Sequence, residues 1–335
     1  MSCSNPSGQK ELRGRYSHNM RILITGGFGF VGGRVAVHLV QAGHTVVLGS
    51  RKLRSPPRWL PYSEVVQVNW IDSFALENIC RGVDIVIHAA GMNAQDCAAN
   101  PDEALFFNGV STSRLVSAAC KSNVQKFIFL STAHVYCSPL EGIINEDTCP
   151  TNLHPYATSH LAGEQSVLWA NECGLISGIV LRLSNIYGAP VHKDVNCWML
   201  LVNDLCRQVV QSRKLILRSS GKQLRDFISI TEVCRVLELL VLVNNGDRHI
   251  GIFNLGSSMA HSILSFSKII QKRCLHIFSY EPVLELNILS DDFIPCSLNY
   301  QTNNLASLGI KVVNRVNLDQ IDDLLLFCKK NFINL

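Results

Sequence analysis

Several features that would announce a protein class are missing from this sequence. It has no apolar run long enough to cross a bilayer. The longest strongly apolar stretch, VLELLVLV at 236–243, is far too short and carries Glu238, so no membrane role is expected. There is no Cys-x-x-Cys pair among the 13 cysteines, and their number is odd. That argues against a disulfide framework or a zinc site, leaves no metal site to name, and fits free thiols in a reducing cytoplasm. There is no large charge of one sign: +4 over 335 residues gives no reason to expect nucleic acid. The first 19 residues lack the apolar centre of a signal peptide and read as a disordered tail, with Met20 an alternative start directly before a strand. No repeat and no low-complexity segment is present. What remains is a globular chain, 47% hydrophobic and 17% charged, with the volume for a substantial core.

From residue 20 onward, apolar β-branched runs alternate with helical patterns. RILIT, TVVLGS (45–50), EVVQVN, VDIVIHAA (83–90), KFIFLST (126–132) and SGIVLRLS (177–184) read as strands. Long helices are expected at 102–122 and 156–173. Near-continuous apolar strands separated by helices predict an α/β fold, a doubly wound parallel Rossmann sheet covered on both faces. The rhythm loosens after residue 186. The domain expectation is therefore a Rossmann unit over 20–185 and, over 186–335, a smaller C-terminal substrate-binding cap with segments returning to the first unit.

TGGFGFVGG at 25–33 joins the first strand directly to the first helix. Glycines allow a tight turn, let the backbone approach a pyrophosphate, and aim a helix N-terminus at its charge. Gly26, Gly29, Phe30 and Val31 are the expected contacts. At the end of the second strand NAD-binding sheets place an acidic residue on the adenosine ribose. Here the residues are Ser50 and Arg51, and a guanidinium suits a 2′-phosphate. NADP is therefore favoured with NAD possible; the competing reading of this basic loop is solvated surface.

Seven stretches then fall in order: TGGFGFVG, HAAG (88–91), FNGVST (107–112), LSTAHVY (130–136), PYATSH (155–160), RLSNIYG (182–188) and RDFISITEV (225–233). Together they resemble the extended short-chain dehydrogenase/reductase family, in its nucleotide-sugar epimerase and dehydratase group. The resemblance covers the chain from residue 20 to its end. It implies that Tyr156 exchanges a proton with a sugar hydroxyl, that Thr132 holds that hydroxyl, and that the ring carbon gives hydride to the nicotinamide. It further implies Asn69 and Trp70 at the adenine, and Ala89, Ala90 and Gly91 against the cofactor. Asn108 would organise the region behind the catalytic residues. Asn93, His134, Asn185 and Arg225 are implied on the substrate side, with Arg225 on the diphosphate of a nucleoside-diphosphate sugar. A homodimer through the two long helices is also implied. His88 reads as a satisfied structural histidine.

One position departs from the family pattern. Where the family has the lysine of Tyr-x-x-x-Lys, this chain has His160. Residues four apart on a helix meet, so His160 should touch Tyr156. A neutral imidazole does little to stabilise a phenolate. Three readings stay open: slow or pH-shifted turnover, charge supplied by His134, or lost catalysis with ligand binding kept. Thr132-Ala133-His134 lacks the acid that family dehydratases carry beside their threonine, which favours epimerisation. A ketone or aldehyde reductase using NADP and a catalytically impaired dinucleotide-binding protein are the alternatives.

Overall fold

The computed structural model describes residues 19–243, 251–286 and 296–333; the expected tail, apart from Asn19, lies outside them. The strands in chain order are β1 (Arg21–Thr25), β2 (Thr45–Ser50), β3 (Glu64–Gln67), β4 (Ile85–His88), β5 (Lys126–Thr132), β6 (Gly142–Ile144) and β7 (Ser177–Leu183). They continue as β8 (Asn185–Tyr187), β9 (Lys214–Leu217), β10 (Leu224–Ser229), β11 (Ile252–Leu255), β12 (Ala260–Ser262), β13 (Val283–Leu286) and β14 (Leu298–Tyr300).

Seven strands make one sheet in the order β11-β7-β5-β4-β1-β2-β3, every neighbouring pair parallel. The order reverses between β1 and β4, the switch point outside whose strand ends such sheets bind ligands. The interior strands β5 and β7 are buried along their whole length, because helices cover the two faces. One apolar cluster lies between the sheet and the helices Phe30–Gln41 and Ile230–Leu242. The other packs Leu76, Leu115, Val116 and Val167 on the opposite face. The fold is thus the doubly wound one.

The C-terminal part carries its own smaller core. Helices Leu201–Ser212, Ile263–Phe278 and Leu318–Phe332 share Val202, Phe266, Ile270, Leu324 and Leu325 with the sheet β12-β10-β8 and the pair β13-β9. Among the described residues, no helix is long and apolar enough to cross a membrane.

The helix expected over 102–122 is not regular. Pro101–Ala104 leads into a π-turn, Leu105–Val110, before α-helix resumes at Ser111–Lys121. The reason lies in its packing against the helix Pro155–Glu172. A Cβ on Gly163 would fall 2.7 Å from the Asn108 carbonyl, so the two backbones approach more closely than side chains allow. The wider turn puts Asn108 at that contact. Such turns recur at functional sites.

Candidate functional site

The glycine loop and the end of β4 press together at the switch point. Gly26 has φ +68, and a Cβ there would lie 2.7 Å from the Ala89 carbonyl carbon and oxygen and the Ala90 nitrogen. Only glycine fits this turn and this approach. Gly29 caps the helix Phe30–Gln41, whose first turn holds no acid to compete with an anion. Phe30 points into the core and Val31 is half-buried, so these two present backbone, not side chain, to the loop's outer face.

At the end of β2, no carboxylate appears. Ser50 accepts a hydrogen bond from the Lys52 amide, and the Arg51 guanidinium sits 5.6 Å from the centroid of the Phe107 ring. Phe107 in turn meets Trp70 edge-on at 5.5 Å. The Trp70 ring is buried, and its indole N–H has no partner among the described residues. That nitrogen is enclosed, so Trp70 offers a ligand packing and not a hydrogen bond. Asn69 is exposed and accepts from the Ile71 amide. These residues fit a dinucleotide's adenosine half.

His88, at the end of β4, is bonded on both ring nitrogens, to Thr25 at 2.6 Å and to Thr112 at 2.9 Å. Burial, with His160 adding to it, pushes its pKa down to about 3. It is a neutral structural strut.

At the other end of the cleft, Thr132 and Tyr156 come together. Thr132 ends β5 and accepts from the His134 amide at 3.1 Å, which leaves its own hydroxyl proton free to donate. That hydroxyl lies near enough to the Tyr156 phenol to favour its ionised form. Burial raises the tyrosine pKa and Thr132 opposes the rise. A chain of contacts fixes the geometry further. Asn152 donates to the His134 carbonyl at 2.7 Å and accepts from the His154 amide, while His154 caps the helix by accepting from the Tyr156 amide at 3.1 Å.

His160 does meet Tyr156, ring centroids 4.4 Å apart. Its Nδ1 lies 2.8 Å from the Tyr156 carbonyl oxygen. A carbonyl only accepts, so Nδ1 carries the proton and the ring is folded back onto its own helix. Nε2 is then a lone pair, 3.7 Å from where a Gly91 Cβ would stand. The ring stacks on Phe129 at 6.0 Å, and burial lowers its pKa, so it is neutral near pH 7. At Nε2 His160 therefore offers an acceptor, where the lysine of the family pattern would offer a donor. His134 does not supply the charge either. Burial first, then Arg225 and His154, push its pKa down to about 4.

Asn108 knits the region from behind. Its amide donates to Ser159 at 3.0 Å and its carbonyl oxygen accepts from the Met92 amide at 2.8 Å. Asn93, expected on the substrate side, caps the helix Ala94–Ala99 by accepting from the Asp96 amide and donating to its carboxylate at 2.7 Å.

Arg225 lies on β10, its guanidinium near His134 and bonded to Gln223 at 3.3 Å. An ion pair with Asp226 is the obvious alternative role, and it does not form. Asp226 is fully buried and taken up by Ser184 at 2.6 Å, by the amides of Ser257 and Met259, and by the Ser257 hydroxyl. Among the described residues Arg225 has no acid partner. Asn185 donates to the Asp226 carbonyl at 2.9 Å and joins β8 to β10 beside it.

Sequence reasoning missed the buried pair beneath the tyrosine helix. Glu164 and Arg182 meet at 2.6 Å, fully enclosed, and Ser131 donates to the same carboxylate. Glu164 stands four residues past His160, so the helical spacing that joined 156 to 160 also reaches it. Asn152 and His154 were missed too: Asn152 reaches the distant His134 carbonyl, and His154 is a local helix cap of an uncommon residue type.

The NAD dependent epimerase/dehydratase family model matches residues 22–256. The human dTDP-D-glucose 4,6-dehydratase is 26% identical over 260 residues, 74% of this chain and 72% of that protein. An uncharacterized UDP-glucose epimerase of Bacillus subtilis, YtcB, is 26% identical over 275 residues, covering 75% of this chain and 81% of its own. Among solved structures, MoeE5 in complex with UDP-glucose and NAD superposes with a TM-score of 0.74 at 21% identity, over 93% of this chain and all of that one. With the match spanning most of the sequence and the glycine loop, Thr132 and Tyr156 inside it, the chain belongs to the NAD dependent epimerase/dehydratase family of oxidoreductase- and isomerase-type enzymes.

Proposed function

We propose that this protein epimerises a nucleoside-diphosphate sugar, using NADP or, as the solved relatives do, NAD. The observation that carries the reading is the Thr132–Tyr156 contact set beside the end of β4, between the glycine loop and the free guanidinium of Arg225. The bound dinucleotide supplies the acceptor, and then the donor, of a hydride at the sugar carbon. Tyr156 takes the hydroxyl proton as that carbon is oxidised and returns it on reduction; Thr132 orients the hydroxyl. Gly26, Gly29, Phe30 and Val31 present backbone to the pyrophosphate. Ser50 and Arg51 hold the ribose side, Asn69 and Trp70 the adenine, and Ala89, Ala90 and Gly91 the inner face. His160 accepts from a nicotinamide ribose hydroxyl through Nε2, an inversion of what a lysine does there. Asn185, His134 and Arg225 face the nucleotide-sugar, with Arg225 on its diphosphate.

No carboxylate follows Thr132 in Ala133-His134, so there is no adjacent acid for dehydration. A second reading is favoured by one observation: with His160 neutral, the chain could bind both ligands and turn over little. Residues 20–185 are the cofactor unit and 186–335 mainly the substrate cap. The working state is a homodimer, supported by a groove of about 730 Å3 between the two long helices, lined by Val116, Cys120, Trp169 and Leu175. The free state of every described cysteine supports a cytoplasmic setting.

The test is incubation with UDP-, dTDP-, GDP- and CDP-sugars in turn, with NADP or NAD, followed by proton NMR of the sugar ring. A new epimer in any mixture supports the proposal. Binding without conversion selects the second reading, and no binding of any nucleotide-sugar sinks both.

A further inference from the structure

The loop that follows β2 is folded onto the glycine loop itself. Trp59 packs edge-on against Phe28, ring centroids 6.1 Å apart, and Leu60 is buried in the main core. The Leu60 amide closes a turn on the Pro57 carbonyl, so the far end of the loop is pinned. Between that anchor and Ser50 stand two guanidiniums on aromatic rests. Arg51 lies over Phe107 at 5.6 Å, and Arg54 over Phe28, in the middle of the glycine loop, at 4.9 Å. Both are exposed, and among the described residues neither has a carboxylate partner. Cations held on ring faces keep their charge and their donors directed without an anion of their own.

We propose that Arg54 is the second cation of a 2′-phosphate clamp, closing from the glycine-loop side while Arg51 closes from the Phe107 side. The proposal rests on the NADP reading. A phosphate on the ribose at the end of β2 would lie between the two rests, and its three oxygens can accept from both forks. A planar guanidinium suits both the ring face and the phosphate, which is why arginine rather than the neighbouring Lys52 is assigned the role. Phe28 thus has a use beyond filling the loop: it holds Arg54 in place before the ligand arrives and lowers the ordering cost of binding.

Arg54 could instead reach the pyrophosphate, and the experiment separates the two. Calorimetry with NADP+, NAD+, adenosine 2′,5′-bisphosphate and 5′-AMP is run on the wild type, Arg51→Ala, Arg54→Ala and Arg54→Lys. Arg54→Ala should weaken NADP+ and the bisphosphate by about tenfold, the scale of one charged hydrogen bond, and leave NAD+ within about twofold. Arg54→Lys should fall between it and the wild type. Equal losses for NADP+ and NAD+ would assign Arg54 to the pyrophosphate and overturn the clamp, as would no loss for either. If only Arg51→Ala selectively weakens NADP+, the NADP reading stands and the second cation falls. If the wild type binds the bisphosphate no better than 5′-AMP, both fail. Arg54 is exposed, and an unchanged melting midpoint in each variant confirms that folding is intact.

Discussion

The two ends of the cleft treat positive charge in opposite ways. At the adenosine end Arg51 and Arg54 stand exposed on aromatic rings with no described acid to neutralise them. At the tyrosine end the enclosed imidazoles carry no charge, and Arg225, the cation in the neighbourhood, acts on His134 and not on the phenol. His88, His134 and His160 are buried and held neutral, and Arg182 is neutralised by Glu164 at 2.6 Å. Anion binding needs standing charge, which is what the proposed phosphate site at the first end requires. A phenolate also needs a cation nearby, and the second end withholds it. Ligand capture and base catalysis are thus separable here, and substitutions should pull them apart.

The largest break comes at Tyr156. Tyr156→Phe should lower turnover by about 10^2 to 10^4, the range of a general base, while NADP+ binding by calorimetry stays near the wild type. A comparable loss of binding would mean that the phenol serves the ligand and not the proton.

Glu164→Gln strips the counter-charge from a buried arginine. Loss of one partner of such a pair costs about 3–5 kcal/mol, so the chemical-denaturation midpoint should fall sharply. A near-unchanged midpoint would show that Arg182 finds other support.

Arg225→Ala tests the guanidinium beside His134, which has no acid partner among the described residues. It should cost about 1.5–3 kcal/mol of nucleotide-sugar binding, with dinucleotide affinity untouched. Equal weakening of both ligands would move Arg225 out of its assigned place.

A further break concerns acid. Folded His88 resists protonation down to about pH 3, whereas an unfolded imidazole binds its proton near pH 6.5. The unfolded state therefore binds more protons in that window, and stability, full above about pH 6.5, should fall as pH drops through it. A melting midpoint constant from pH 7 to pH 4 would contradict this.

Much of the fold was legible because its signals are local. KFIFLST and SGIVLRLS are β-branched or aromatic runs too apolar for a half-exposed strand, and the glycine loop sits where strand gives way to helix. The Tyr156–His160 contact followed from spacing alone. What stayed hidden depends on distant partners. The π-turn at Asn108 exists because Gly163, on another helix, lets the backbones close up. Arg182 reads as one charge in an apolar strand until Glu164 is seen opposite. The polarity of His160 could not be read at all, since it depends on which ring nitrogen finds the Tyr156 carbonyl.

The central claim is that Tyr156 works as a base without a cationic partner. Hydride exchange measured against pH in the wild type and His160→Lys tests it most directly. With the tyrosine pKa raised by burial and His160 neutral, phenolate is scarce at pH 7, so the wild-type rate should rise steadily into the alkaline range. Lysine at 160 should lower that pKa and raise the neutral rate about tenfold for each unit gained, with the advantage shrinking in alkali. A wild-type rate already fast and flat across neutral pH, unimproved by His160→Lys, would contradict the account.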